Sequence, residues 1–125
     1  QQKNELDKAI RYHRLAVTKL KEEGNHYGLV LNNLGITYSK KNDWDKAIEY
    51  SLQAAEQSQA ERKPYEHALV NLCYFYEQKN DWDNVIIFAL KAIEQLQRKT
   101  KPFSKMLVHI GHAYGKKNDW NKAIE

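Results

Sequence analysis

The histidines and the cysteine are the side chains of this chain best suited to metal binding or nucleophilic chemistry. His109 and His112 are three positions apart, which would place both imidazoles on one side of a helix. A zinc site needs further His, Cys or carboxylate ligands, and the helical pattern predicts no acidic residue close to this pair. We therefore expect neither a metal at His109 and His112 nor any other cofactor.

Cys73 is the only cysteine of the chain, so a disulfide framework is excluded. It falls on an apolar helical stripe with Leu69, Leu72 and Tyr76, which is typical of a small buried packing residue and not of a nucleophile. The sequence has no glycine-rich phosphate loop, and no Ser-His-Asp arrangement can be inferred. We predict that the chain is not an enzyme.

The composition of the chain favours some cellular locations and some classes of partner over others. The 125 residues are 42% hydrophobic and 29% charged with a net charge of +4, and lysines and glutamates are interleaved along the chain. This pattern favours a solvated helical surface over direct contact with nucleic acid. No apolar run approaches the ~20 residues of a membrane span. With a single cysteine, the simplest location is the cytoplasm.

A repeated tetrapeptide shows how the chain is organised. Asn-Asp-Trp followed by Asp or Asn begins at Asn42, Asn80 and Asn118, which are equally spaced, and one further step back reaches a related segment at Asn4. A fixed period of this length is typical of stacked supersecondary units. The function of such an array is usually recognition by a surface and not catalysis.

Each repeat predicts a pair of antiparallel helices. Leu31, Leu34, Gly35 and Tyr38 form one helical stripe that is expected to face inward. Similar inward stripes are expected in the last copy and in the opening helix, at Leu107, Ile110, Gly111 and Tyr114 and at Ala9, Ile10, Tyr12, Leu15, Ala16 and Leu20. Asn42 can end that helix in the left-handed conformation, and Asp43 can cap the next one. The Trp that follows is expected to pack inside its own repeat.

The whole sequence therefore predicts an all-α chain of about seven antiparallel helices. We place them at about 5–22, 27–41, 43–61, 65–79, 81–99, 103–117 and from 119 onward. The whole of 1–125 is predicted to be one array, cut at both ends, with repeat units at about 1–26, 27–64, 65–102 and 103–125. No segment alternates with period two, so no sheet is expected.

These residues resemble the signature of the tetratricopeptide repeat (TPR). Leu31, Leu34-Gly35, Tyr38, Asp43, Ala47, Tyr50 and Ala54 carry the resemblance, and the other copies repeat most of it. The usual repeat length is ~34 residues, slightly shorter than the period of this chain, and Trp44, Gln59 and Cys73 depart from the family's usual residues. The resemblance implies a right-handed superhelix, an α-solenoid, whose first helices line a concave groove. The lengthened repeats are similar to those of peptide-pheromone receptors of Gram-positive bacteria.

A second face of each first helix would line that groove. Asn33 and Asn71 lie one repeat apart on this face, and the resemblance gives them the role of gripping a ligand's backbone. Lysines and histidines outnumber the one acidic residue, Glu77, so we expect an acidic ligand or a free carboxylate. The predicted peptide-binding residues are Asn32, Asn33, Lys40, His67, Asn71, Tyr74, Lys105, His109 and His112.

The sequence thus predicts a protein- or peptide-binding module, and most specifically the peptide-sensing part of a bacterial regulator. Two alternatives remain open. One is a structural scaffold that self-associates through exposed half-repeats and so forms a homo-oligomer. The other is the regulatory region of a phosphatase-type regulator, whose catalytic element would lie outside this segment.

Overall fold

The computed structural model describes residues 2–96 and 100–124, with side chains described for 3–96 and 100–119. These residues form six α-helices and no strand, so the all-α prediction is confirmed. The helices are α1 (Gln2–Glu22), α2 (Gly28–Lys40), α3 (Trp44–Ala60), α4 (Glu66–Gln78), α5 (Trp82–Gln95) and α6 (Lys101–Ile124).

The Asn-Asp turn forms as predicted in the first two copies of the motif. Asn42 and Asn80 have φ values of 62° and 57°, the left-handed region that asparagine tolerates after a helix. Asp43 then accepts a hydrogen bond from the backbone N–H of Lys46, and Asp81 accepts one from that of Asn84. Each carboxylate caps the helix that follows, a contribution of about 1 kcal/mol.

The chain divides into two compact units, Gln1–Ala68 and Leu69–Glu125, with the boundary inside α4. Unit 1 contains α1, α2, α3 and the first turn of α4. Unit 2 contains the rest of α4 with α5 and α6. The boundaries of the repeat units, as distinct from these compact units, remain a prediction.

In unit 1, α2 and α3 pack closely because α2 presents two glycines to its partner. An added Cβ at Gly28 would clash with Ser58 Oγ, and one at Gly35 would meet Ser51 Oγ at 2.5 Å. Farther along α2, the rings of Tyr38 and Tyr50 stack with their centroids 5.4 Å apart. The core between the helices consists of apolar side chains that are almost fully buried: Leu31, Leu34, Ala47 and Ala54.

Glu61 closes the open end of this pair. The helix α2 has no side-chain cap of its own at Tyr27. Instead, the Glu61 carboxylate accepts hydrogen bonds from the backbone N–H groups of Tyr27 and Gly28 and from the side chain of Gln57. A residue at the end of α3 thereby satisfies donors that would otherwise lack a partner at the start of α2.

Unit 2 repeats the same contacts one repeat later in the sequence. Tyr76 stacks on Phe88 with centroids 5.5 Å apart, at the positions equivalent to Tyr38 and Tyr50. The predicted stripe on α4 is buried at Leu69, Leu72 and Cys73, as expected.

Two predicted helix ends differ from the structure. The helix α6 continues through Asn118, where a turn and a seventh helix were predicted. A left-handed residue costs roughly 1–2 kcal/mol, and a helix that packs back offsets this cost at Asn42 and Asn80. No described helix follows α6 to pack back on it, so this offset is missing at Asn118. The helix α5 ends at Gln95 and Leu96 is extended, so it stops before the predicted residue 99; residues 97–99 lie outside the described part.

The predicted inward stripe on α6 is also wrong. Leu107, Gly111 and Tyr114 are exposed, whereas Met106 and Ala113 are fully buried. Met106 and Ala113 are equivalent to Ala68 and Phe75 of α4, which are buried as well. The buried face of α6 is therefore the one that packs on preceding helices of unit 2, while the face meant for a following helix has no partner among the described residues.

The end helix α1 shows the same effect. Ile10 is buried, but Tyr12 and Leu15, which were predicted to point inward, are exposed. The ring of Trp82, which was predicted to pack inside its own repeat, makes an additional edge contact with His112 of α6, with ring centroids 5.5 Å apart. The side chain of Trp120 lies outside the described residues.

Candidate functional site

A pocket of about 410 Å³ opens in unit 1 beside the start of α2. Its wall is made by the first turns of α2, the end of α3 and the segment that leads into α4. The lining residues are His26, Leu29, Val30, Asn32, Ser58, Glu61, Lys63, Pro64, Tyr65, His67 and Ala68.

The local sequence explains why these side chains converge. Gly28 lets the start of α2 approach the end of α3, and Glu61 fastens the two ends together. Residues 63–65 connect the two helices without regular structure, and α4 begins at Glu66. Pro64 restricts this connection and suits the entry of a helix, and Tyr65 and His67 line the same pocket as the first turn of α2.

The pocket's one lining carboxylate already has hydrogen-bond partners, whereas its nitrogen-bearing side chains are exposed to solvent. The carboxylate of Glu61 is already bound to the start of α2; burial opposes ionisation, but the hydrogen bonds from Gln57, Tyr27 and Gly28 outweigh it and lower its pKa. By contrast, the His67 side chain is 82% exposed, with its Nε2 4.0 Å from a Glu66 oxygen. His26 and Lys63 are exposed as well. The rim therefore presents nitrogen groups that can carry positive charge.

Of the predicted site residues in unit 1, two meet at this pocket and two do not. Asn32 is buried at its wall, and His67 stands on its rim. Asn33 is half-buried and its backbone carbonyl accepts a hydrogen bond from Thr37. Lys40 is exposed at the last residue of α2, away from the pocket.

In unit 2 the structure brings Tyr74 and His109 together. Their rings make an edge contact with centroids 4.7 Å apart. His112 is exposed and touches Trp82 instead. Lys105 is exposed on α6, and Asn71 is half-buried on α4.

The sequence pattern missed the closest polar neighbour of His109. Its Nδ1 lies 2.8 Å from a carboxylate oxygen of Glu77 on α4, so the expectation that no acidic residue lies beside it is wrong. Cys73, one helical turn before Glu77, completes a cluster with both. Spacing within one helix shows that Cys73 and Glu77 share a face, but only the packing of α6 brings His109 to them.

Burial sets the ionisation of this cluster. The pKa of the Cys73 thiol is raised to about 12, first by burial and then by the nearby charge of Glu77. The pKa of Tyr74 is raised by burial and by Glu77 and Cys73. Both groups are protonated at neutral pH, and a protonated thiol is a poor nucleophile.

Comparison with known proteins supports the repeat assignment. Residues 30–65 match the family model described as tetratricopeptide repeat. Sixteen chains of solved structures match, among them the crystal structure of BtubC (BKLC) from P. vanneervenii. That structure aligns with a TM-score of 0.78 and 21% identity, over 96% of this chain and 53% of that one. This chain therefore spans about half the length of that relative. No curated protein matches.

The tetratricopeptide prediction is thus confirmed for residues 30–65, which match the model of that family, and the described residues form an all-helical fold. Repeats of this kind generally mediate protein–protein interaction and are typically not catalytic. No helix in the described residues has both the length and the apolar character needed to cross a bilayer.

Proposed function

We propose that this chain binds a peptide segment of a partner protein and that the pocket of unit 1 is a contact point. The observation that carries the proposal is the combination found there: an open apolar wall beside a rim formed by the Lys63 ammonium and the imidazoles of His26 and His67, with the one lining carboxylate already bound to the start of α2. A peptide that offers an apolar side chain flanked by acidic residues fits this combination.

The apolar wall is where such a peptide would bury surface. Leu29 is 71% exposed although it lies on the first turn of a well-packed helix. It stands beside Val30, Pro64 and Tyr65 in the same pocket. Covering these side chains would remove apolar surface from water, at roughly 25 cal/mol per Å².

The polar rim would supply selectivity. Lys63, His26 and His67 would attract acidic residues that flank the apolar anchor. Asn32 lines the wall of the pocket, and the peptide-binding role predicted for it belongs to this proposal. The binding roles predicted for Asn33 and Lys40 in unit 1, and for Asn71, Tyr74, Lys105, His109 and His112 in unit 2, extend the proposal beyond this pocket.

The finer form of the proposal is that the chain is the peptide-sensing part of a bacterial regulator in the cytoplasm. The lengthened repeat period and the presence of a single, buried cysteine support it. Ligand binding in such an array would act by shifting a conformational equilibrium to which each repeat interface contributes.

Fluorescence anisotropy with labelled hexapeptides tests the pocket. One peptide carries Leu-Phe between pairs of acidic residues, and a second carries the same Leu-Phe between pairs of lysines. We expect the acidic peptide to bind more tightly, and Leu29→Ser and Lys63→Glu each to weaken its binding by tenfold or more. Leu52→Ser, at an exposed leucine of α3 outside the pocket, is the matched control. Equal affinity for the two peptides, or an equal loss in the control, would refute the proposal.

A second candidate function is self-association, and the exposed faces of the end helices favour it. Leu107, Val108 and Tyr114 on α6 and Tyr12 and Leu15 on α1 are large side chains exposed to solvent. By the repeat spacing, α1 is a second-type helix and α6 a first-type helix, so α1 of one copy could cover α6 of another. Light scattering over a range of concentrations measures this directly. Association that Tyr114→Lys abolishes and Leu29→Lys preserves would support it, whereas a monomer at all concentrations would exclude it.

A further inference from the structure

We propose that Cys73, Glu77 and His109 form a zinc-binding site in unit 2. Each residue offers one ligand atom, and the three atoms lie within 4.8 Å of one another. The inference does not depend on the pocket of unit 1, because it rests on α4 and α6 alone; it shares only Tyr74 and His109 with the wider peptide-binding proposal.

The two helices supply the ligands in different ways. Cys73 and Glu77 are four residues apart on α4, so both side chains project from one face of that helix. His109 comes from α6, where its ring rests edge-on against Tyr74 and its Nδ1 lies 2.8 Å from the Glu77 carboxylate. Packing by Tyr74 orients the imidazole before any metal binds, which reduces the cost of assembling the site.

The donor set matches the preferences of zinc. Thiolate sulfur, imidazole nitrogen and carboxylate oxygen are its usual ligands, at bond lengths of about 2.0–2.3 Å. Ligand atoms on one tetrahedral ion are then roughly 3.5 Å apart. Because the ligand atoms all lie within 4.8 Å of one another, the widest separation must close by at most about 1.3 Å, which side-chain rotation at Glu77 and His109 can provide.

Burial makes the cluster suitable for a metal and still accessible to one. Cys73 is fully buried, whereas the side chains of Glu77 and His109 retain 14% and 18% of their exposure. A metal would enter along the carboxylate and the imidazole and meet the sulfur beneath them. Three protein ligands leave a fourth position for water or another small ligand.

Binding would change the protonation of the cluster. The buried thiol is protonated at neutral pH, so the Cys73 S–H bond breaks as the sulfur–zinc bond forms and one proton leaves to solvent. Zinc affinity should therefore fall as the pH is lowered. If His109 and Glu77 form only an ion pair and bind no metal, adding zinc releases no proton.

Calorimetry and Co²⁺ spectroscopy on the tag-free, reduced 125-residue chain test the site. We expect one zinc per chain, proton release on binding, and an ultraviolet thiolate-to-cobalt charge-transfer band. Cys73→Ala should abolish that band. Glu77→Gln and His109→Gln should each weaken zinc binding beyond the ~10–100-fold that the loss of an outer-shell partner costs.

His112→Gln is the matched control, since it removes a histidine three residues away that is not in the cluster. It should leave zinc affinity and the cobalt band unchanged. Circular dichroism verifies that each variant is folded; if Cys73→Ala does not fold, the partly exposed Glu77→Gln and His109→Gln variants decide the question. Absence of zinc binding and of the cobalt band in the parent chain overturns the proposal, as does equal loss in the His112→Gln control.

Discussion

The helix α2 in unit 1 and the helix α6 in unit 2 have the same signature residues in opposite environments. Leu31 is 4% exposed and its equivalent Leu107 is 50% exposed; Tyr38 is 8% exposed and Tyr114 is 54% exposed. The difference is the following helix, because α3 covers the signature face of α2 and no described helix covers that of α6. The signature thus specifies a face that is ready to be buried, and the partner helix makes that face part of a core.

The largest expected effect is a difference in the free energy of unfolding between variants at Leu31 and at Leu107. Leu31→Ala removes a side chain enclosed between α2 and α3, and we expect it to lower the free energy of unfolding by about 3 kcal/mol. Leu107→Ala should cost less than about 1 kcal/mol, because half of the side chain is already in water. Urea denaturation of the two variants measures both values.

Leu69→Ala is the control within unit 2, since Leu69 occupies the same repeat position as Leu107 and is buried. It should behave like Leu31→Ala. Equal losses for Leu69→Ala and Leu107→Ala would show that the signature face of α6 is covered in solution, for instance by a second copy of the chain.

Alanine substitutions at Gly35 of α2 and at Gly111 of α6 should change the stability of the fold in opposite directions. A Cβ at Gly35 would meet Ser51 Oγ at 2.5 Å and the Ala47 carbonyl at 3.0 Å, so Gly35→Ala should cost about 1–3 kcal/mol through overpacking. A Cβ at Gly111 meets nothing within 4 Å. There, Gly111→Ala should stabilise α6 by roughly 0.5–1 kcal/mol, because alanine favours the helix. Thermal unfolding of the two variants gives the signs.

Ser51→Ala tests the cause of the Gly35 effect. The Ser51 hydroxyl is buried and has no hydrogen-bond partner in the described structure, so its removal also relieves a polar group that is costly to bury. The double variant Gly35→Ala with Ser51→Ala should recover part of the lost stability. No recovery would place the clash at the Ala47 backbone alone.

The sequence predicted the parts of the fold that depend on local chemistry. Asn42 and Asp43 formed their turn and cap because one residue tolerates the left-handed conformation and the other offers a carboxylate to the next helix. The exposure of Leu107 and the continuation through Asn118 could not be predicted this way, since both depend on a partner helix. The pairing of Glu77 with His109 was missed for a related reason: it depends on how α4 and α6 pack together.

A substitution at Glu61 tests, with a smaller expected effect, how much its carboxylate stabilises the packing of α2 on α3. Glu61→Gln leaves an amide that can still accept a hydrogen bond from the start of α2 but removes the charge, and we expect a loss of about 1 kcal/mol at neutral pH. The folded pKa of Glu61 is lowered. Its stabilising contribution is therefore complete above the unfolded value of about 4.3 and is lost as the pH falls through the folded value.

Denaturation curves between neutral pH and pH 3 measure this dependence. The parent chain should lose stability as the pH falls, and Glu61→Gln should flatten that part of the curve. Glu66→Gln, at a carboxylate on the first turn of α4, is the matched control. A curve for Glu61→Gln that remains parallel to the parent curve would show that another carboxylate causes the loss.

The smallest expected effect concerns two equivalent ion pairs, one beside α2 and one on α6. Lys41, just after α2, pairs with Asp7 of α1, and Lys117 of α6 pairs with Asp83 of α5, at positions two repeats apart. The helix α6 thus keeps the contact to its preceding helix while its other face is open.

The hydrogen bond from Lys41 lowers the pKa of Asp7. Lys41→Met should raise the pKa of Asp7, followed by NMR titration, with little change in stability because the pair is exposed to solvent. Lys40→Met removes a neighbouring charge and leaves the pair intact, so an equal rise in that variant would assign the shift to net charge and not to the bond.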